Sequence, residues 1–130
     1  NTTKIKSIIK GKSNVFDASS GFTLEEEMEI ISNLDLMISM DSANGHIAAN
    51  CGIPVLTLWG MTHPFCGFTP FNQAVENSMM INRNLYPAIP TSIFGKKIPK
   101  GYENAFRSIK PKEIIEKALK ILDKTIPHHN

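Results

Sequence analysis

The sequence predicts an α/β fold, a parallel sheet with flanking helices, and three observations carry the prediction. Residues 36–40 (Leu-Met-Ile-Ser-Met) and 53–59 (Ile-Pro-Val-Leu-Thr-Leu-Trp) are nearly continuous apolar runs of strand length, as expected for strands covered on both faces. Between them, Asp41-Ser42-Ala43-Asn44-Gly45 supplies cap and turn residues, and residues 46–51 before Gly52 read as a short helix with a glycine stop. Strand, helix and strand within residues 36–59 make a right-handed βαβ unit, which requires the two strands to be parallel.

The remaining elements follow in chain order. Ile5, Ile8 and Ile9 stand at helical spacing ahead of Gly11, which suits the tail of a helix. Val15-Phe16-Asp17 reads as a short strand, closed by Ser19-Ser20-Gly21. Thr23 with Glu26 three residues later forms a capping box, so a helix is expected over residues 24–33, with three glutamates favourably placed in its first turn. Residues 60–77 mix Pro64, Gly67 and Pro70 with Phe65, Cys66, Phe68 and Phe71 without a period, which predicts a long, partly buried loop. Residues 78–82 suit one more strand, and residues 84–107 are irregular. Lys110-Pro111 starts a final helix with proline at its first position, an apolar face of Ile115, Ala118, Leu119 and Leu122, and solvated lysines.

Length and composition narrow the function classes. One hundred and thirty residues with 42% hydrophobic and 20% charged content are expected to form one domain with a core. A net charge of +2 is too small for the basic footprint of a nucleic-acid binder. No run approaches the roughly 20 apolar residues of a membrane-spanning helix, and residues 1–10 contain no signal-peptide core. Two cysteines, Cys51 and Cys66, do not make a secreted disulfide framework. A soluble cytoplasmic protein with reduced thiols is expected. The first residue is Asn1 rather than Met, so the chain is expected to be processed or cut from something longer.

The stretch from Asp41 to His46 joins the end of a strand to the start of a helix, where open α/β sheets bind ligands. Small residues at Ser42, Ala43 and Gly45 let a ligand approach the backbone, and the free N–H groups of the first helical turn suit a phosphate. The plainer alternative makes Ser42 an N-cap and Gly45 a relief of crowding. His46 suits either a neutral donor to a phosphate oxygen or a core histidine bonded to a carbonyl. A hydrolase triad of Asp41, Ser42 and His46 lacks the glycines of a nucleophile elbow, because Met40 and Asn44 stand there. Gly11-Lys12-Ser13 resembles the end of a phosphate-binding P-loop, but Lys6 replaces its first glycine and the order of elements is reversed. Cys51, His63 and Cys66 make at most a partial zinc set, so no metal is expected. A reading from another class makes Phe65, Phe68 and Phe71 a docking surface for a partner protein.

The run from Asp35 through Ala49, followed by Gly52-Ile53-Pro54, the apolar strand to Trp59 and Gly60-Met61-Thr62-His63-Pro64, resembles the signature of the glycosyltransferase family 9 heptosyltransferases. The family pattern is an apolar strand ending in Asp-Ser/Thr-Gly, two variable residues, His, an Ala-rich turn, Gly-x-Pro, a second strand and Gly-x-Thr-x-Pro. The resemblance implies the C-terminal half of a GT-B glycosyltransferase built from two Rossmann-like domains, with the first elements of that half expected to be missing. It implies a nucleotide sugar, ADP-heptose, as donor substrate, the lipopolysaccharide core as acceptor through the other domain, inversion at the anomeric carbon, and no cofactor or obligatory metal. It places Asp41, Ser42, Ala43, Asn44, Gly45 and His46 at the donor diphosphate, with Asp41 organising the loop, and Gly21, Phe22 and Thr23 at the nucleobase. No catalytic residue is assigned, since the base is expected in the N-terminal domain, so the fragment alone is expected to be inactive. Association with the inner face of the inner membrane would be at most peripheral. Ala43 stands where the family has glycine, with Gly45 two residues on, and residues 84–107 contain none of the cysteines many relatives carry there.

Overall fold

The computed structural model describes residues 2–125, without the side chains of Thr2, Thr3 and Ile5. The chain divides into two compact units, residues 1–30 and residues 31–130.

The first unit opens with helix α1 (Thr2–Ile9). Gly11 takes the left-handed φ of 80° that ends such a helix without a Cβ penalty. Of the isoleucines at helical spacing, Ile8 is exposed and Ile9 half-buried, and the Ile5 side chain lies outside the described residues. Val15-Phe16-Asp17, expected as a strand, is not one. The Asp17 carboxylate accepts the Ser19 N–H at 3.0 Å, a local turn that competes with a ladder, and Phe16 is 86% exposed. Helix α2 (Leu24–Ser32) follows where expected. The Thr23 N–H donates to Glu26 Oε2 at 2.8 Å and the Glu26 N–H to Thr23 Oγ1 at 3.3 Å, a complete capping box.

The second unit contains a three-stranded parallel sheet in the order β1 (Met37–Met40), β2 (Val55–Trp59), β3 (Ser78–Met80). Helix α3 (Ala43–Asn50) connects β1 to β2, completing the βαβ unit. Its stop is a Schellman motif: Gly52 has φ 78°, its N–H reaches Ala49 O at 3.0 Å, and the Ile53 N–H reaches Ala48 O at 2.9 Å. Central β2 is buried at all five positions. Ile31, Ala48, Ala49 and Val55 form the core on one side of it, and Leu56, Leu58, Ala118 and Ile121 the core on the other. Each valine, leucine or isoleucine among them, fully buried, contributes roughly 1.5–3 kcal/mol, and each alanine less.

Two expectations about coverage need correction. β1 is not covered on both faces: it is an edge strand, and Ile38 and Met40, which share a face with Leu56 and Leu58 in register, are 48% and 54% exposed. The buried stripe of α4 (Pro111–Thr125) is Ala118 and Ile121 with half-buried Ile114 and Leu122, while Ile115 and Leu119 are exposed. A helix rich in isoleucine and leucine offers two overlapping apolar stripes, and the position of the sheet selects between them.

The crossover from β2 to β3 contains no α-helix, only short 3-10 turns at Pro64–Cys66 and Val75–Asn77. Gln73 holds it in place. Its Oε1 accepts the Val55 N–H at 2.7 Å, and its Nε2 donates to Ile53 O at 3.3 Å and Phe71 O at 3.4 Å. Asn72 turns the amide inward with φ 53°, a conformation that asparagine tolerates better than most residues. Farther along, Ile81, Ile89, Ala105 and Ile109 form a third cluster that organises the irregular segment, with Tyr86 and Tyr102 packed edge to face at 5.0 Å.

Candidate functional site

β1 delivers the chain to Asp41 and Ser42, and α3 departs from them, so this loop stands at the C-terminal edge of a parallel sheet. Ser42 occupies the N-cap position with extended dihedrals (φ −153°, ψ 161°), yet its side chain caps nothing. Its Oγ lies 2.9 Å from Ser39 Oγ. Ser39 is buried and donates its single proton to Met40 O at 2.6 Å. Ser42 is therefore the donor in the hydroxyl pair. The consequence is a helix whose first N–H groups have no side-chain cap among the described residues, at the positive end of its dipole.

The six candidate residues divide by position. Asp41, Ser42, Ala43 and Asn44 are exposed, Gly45 is buried, and His46 is half-buried. Gly45 faces inward: a Cβ there would meet Ser39 Oγ at 3.0 Å and Ser39 Cβ at 3.2 Å. Its missing side chain lets α3 approach β1, as the plainer reading had it. Ala43 sits at the first helical position with ordinary helical backbone rather than positive φ, so the Cβ in place of the family glycine brings no strain. The Asp41 side chain makes no hydrogen bond among the described residues, and the bond that links the two ends of the loop is the Ser39–Ser42 hydroxyl pair. His46 likewise bonds no carbonyl there.

Gly21, Phe22 and Thr23 lie in the other unit, ahead of α2. Gly21 has φ 96° and Phe22 is 44% exposed. The hydroxyl and N–H of Thr23 are both used by the capping box, so Phe22 is the member of this trio with a free face.

The loop after β2 emerges from the same edge of the sheet as the loop after β1. His63 is buried there, and its Nδ1 accepts the Phe65 N–H at 3.2 Å, capping the 3-10 turn. Burial, reinforced by the positive charge of Arg83, holds its pKa below the usual histidine value. A nitrogen that accepts from the backbone is not a spare metal ligand. Among the described residues no group of three or more His, Cys, Asp or Glu side chains is placed to hold a metal ion, and Cys51 and Cys66 are free thiols. A groove of about 460 Å³ between β3 and α4 is lined by none of the six candidate residues.

Comparison with known proteins supplies the family. The model of glycosyltransferase family 9 (heptosyltransferase) matches residues 4–102. The chain belongs to glycosyltransferase family 9. Nucleotide-sugar and acceptor partners are thereby general expectations for this family 9 chain. No curated protein and no solved structure matches it. No described helix of this family 9 chain is long and apolar enough to cross a membrane.

Ser39, Gln73 and the capping role of His63 were not legible as functional or organising residues. Ser39 alone left a signal, a lone hydroxyl inside an apolar strand run.

Proposed function

We propose that this chain binds the nucleotide-sugar donor of a GT-B, inverting heptosyltransferase, with ADP-heptose as donor and the lipopolysaccharide core as acceptor. The observation that carries the reading is the uncapped start of α3, opened by the diversion of the Ser42 hydroxyl to Ser39. The N–H groups of Ala43, Asn44 and Gly45 are placed to donate to diphosphate oxygens, and the helix dipole favours the charge that accumulates on a departing diphosphate. Such stabilisation needs no metal. The Ser42 hydroxyl exchanges its bond to Ser39 for one to phosphate, and half-buried His46 supplies a ring N–H in the same turn. The catalytic base and acceptor site belong to a second domain at the inner face of the inner membrane, so residues 1–130 as one donor-binding domain bind without turnover.

Titration with ADP and with an ADP-sugar tests the reading. The amide resonances of residues 42–46 are expected to shift at millimolar nucleotide. In Ala43→Asp the shifts should vanish although the helix is, if anything, stabilised, because a carboxylate at the first turn suits the dipole by about 0.3–1 kcal/mol but repels a diphosphate. Unmoved amides in the parent chain, or equal binding by A43D, would overturn it. The rival reading, a non-catalytic protein-docking domain, draws on Phe65 and Phe71, which are 93% and 73% exposed; it predicts no amide response to nucleotide.

A further inference from the structure

The segment 91–101, Thr-Ser-Ile-Phe-Gly-Lys-Lys-Ile-Pro-Lys-Gly, contains three lysines and no acid. It thus carries +3 against +2 for the whole chain, leaving −1 for everything else. Lys96, Lys97 and Lys100 are exposed and make no ion pair among the described residues. Interleaved with them, Ile93, Phe94 and Ile98 are 60%, 65% and 58% exposed. Lysines alternating with bare apolar side chains match neither a solvated charge run nor a core.

This exposure is built into the fold. Gly95, at φ 59°, lies so close to the loop after β2 that a Cβ would meet Thr62 Cγ2 at 2.9 Å and the Met61 carbonyl carbon at 3.0 Å. Thr91 Oγ1 donates to Lys97 O at 2.8 Å, closing the base of the segment. Phe94 packs against half-buried Phe68 at 5.9 Å, and Lys96 Nζ stands 5.5 Å above the Phe94 ring. A fixed platform therefore holds aromatic and aliphatic tips outward with ammonium groups around them.

We propose that this platform docks the chain on a lipid bilayer bearing anionic headgroups. Phe94, Ile93 and Ile98 enter the headgroup boundary, and the three lysines attract the negative surface. Charge favours this occupant over a protein partner: a surface that is all cation at its rim and apolar at its tips suits an anionic interface of unlimited extent. Because the platform leans on Met61 and Thr62, just after β2, docking would bring the edge of the sheet that carries Asp41 to His46 near the bilayer. The inference goes beyond nucleotide binding and does not depend on it.

Vesicle co-sedimentation of the 130-residue chain is the test, with phosphatidylcholine alone and with phosphatidylglycerol as the minor component. Binding is expected only to the anionic vesicles. It should weaken as salt rises from about 0.1 M to about 1 M, where the screening length falls from about 10 Å to about 3 Å. Replacing Lys96, Lys97 and Lys100 together by serine should weaken binding about 100-fold, at roughly one decade or slightly less per lysine. Phe94→Trp should show blue-shifted emission with anionic vesicles only. Unchanged amide spectra outside the segment would show that the variants fold, and nucleotide titration of residues 42–46 reads the donor site separately. Absent binding, equal binding to neutral vesicles, or full binding by the triple variant overturns the proposal. So does a concentration-dependent dimer that Phe94→Ser abolishes, since the patch would then be a protein interface.

Discussion

Ser39 and Ser42 share a hydroxyl pair at 2.9 Å in which the buried partner has already given its proton to Met40 O. Ser42 therefore stands at an N-cap without capping. Loss of an ordinary capping serine costs about 1 kcal/mol. Ser42→Ala is expected to cost less, well under about 1 kcal/mol in denaturant unfolding, because Ser39 keeps its bond to Met40 and the helix start loses nothing it had. The same variant should weaken ADP binding several-fold. A full capping loss with unchanged ADP binding would make Ser42 a purely structural residue.

Gly45 sets the distance between α3 and β1. Alanine normally improves a helix by about 1 kcal/mol over glycine. Here the added Cβ would press on Ser39 Oγ at 3.0 Å and Cβ at 3.2 Å, so Gly45→Ala should destabilise by about 1–3 kcal/mol net. Removing the opposing atoms with Ser39→Gly should recover part of that loss in a double-mutant cycle. Additive losses would mean that the two residues do not meet.

His63 predicts a pH dependence with a definite sign. Its folded-state pKa is held below the unfolded value of about 6.5, first by burial and then by Arg83. The unfolded chain thus binds the proton more readily, and stability present above pH about 6.5 is lost as pH falls through the lower folded pKa. His63→Asn keeps an acceptor for the Phe65 N–H but cannot titrate. Urea midpoints measured from neutral to mildly acidic pH should fall less for H63N than for the parent chain. Parallel curves would assign the acid sensitivity elsewhere.

The Thr23–Glu26 capping box predicts a local loss. Thr23→Ala should cost about 0.5–2 kcal/mol of α2 stability, visible as faster hydrogen exchange at the first α2 amides. Unchanged exchange there would mean that the box does not hold the start of α2.

Legibility in the sequence followed the range of the interaction. The capping box at Thr23, the glycine stop at Gly52 and Pro111 at a helix start depend on neighbours within one turn, and residue identity alone specifies them. The βαβ unit was legible because two apolar runs flank a short turn-rich segment. Strand coverage was not: Ile38 and Met40 have the chemistry of buried residues, and their exposure follows from β1 lying at the edge. The choice between Ile114–Ile121 and Ile115–Leu119 as the buried side of α4 likewise depends on where β2 stands. In the candidate site, the segment 41–46 was visible from its small residues. The orientation of the Ser42 hydroxyl was not, because it depends on one buried oxygen in the strand before it.

Gln73 has a consequence for motion. Neighbouring parallel strands are commonly joined by a packed helix, whereas here one carboxamide clasps the start of β2 through Val55 and Ile53. Release of that one side chain would uncover the Val55 N–H and the Ile53 carbonyl together, and a one-atom change, Gln73→Glu, would exchange the amide donor for an acceptor and leave the Ile53 carbonyl with nothing to accept.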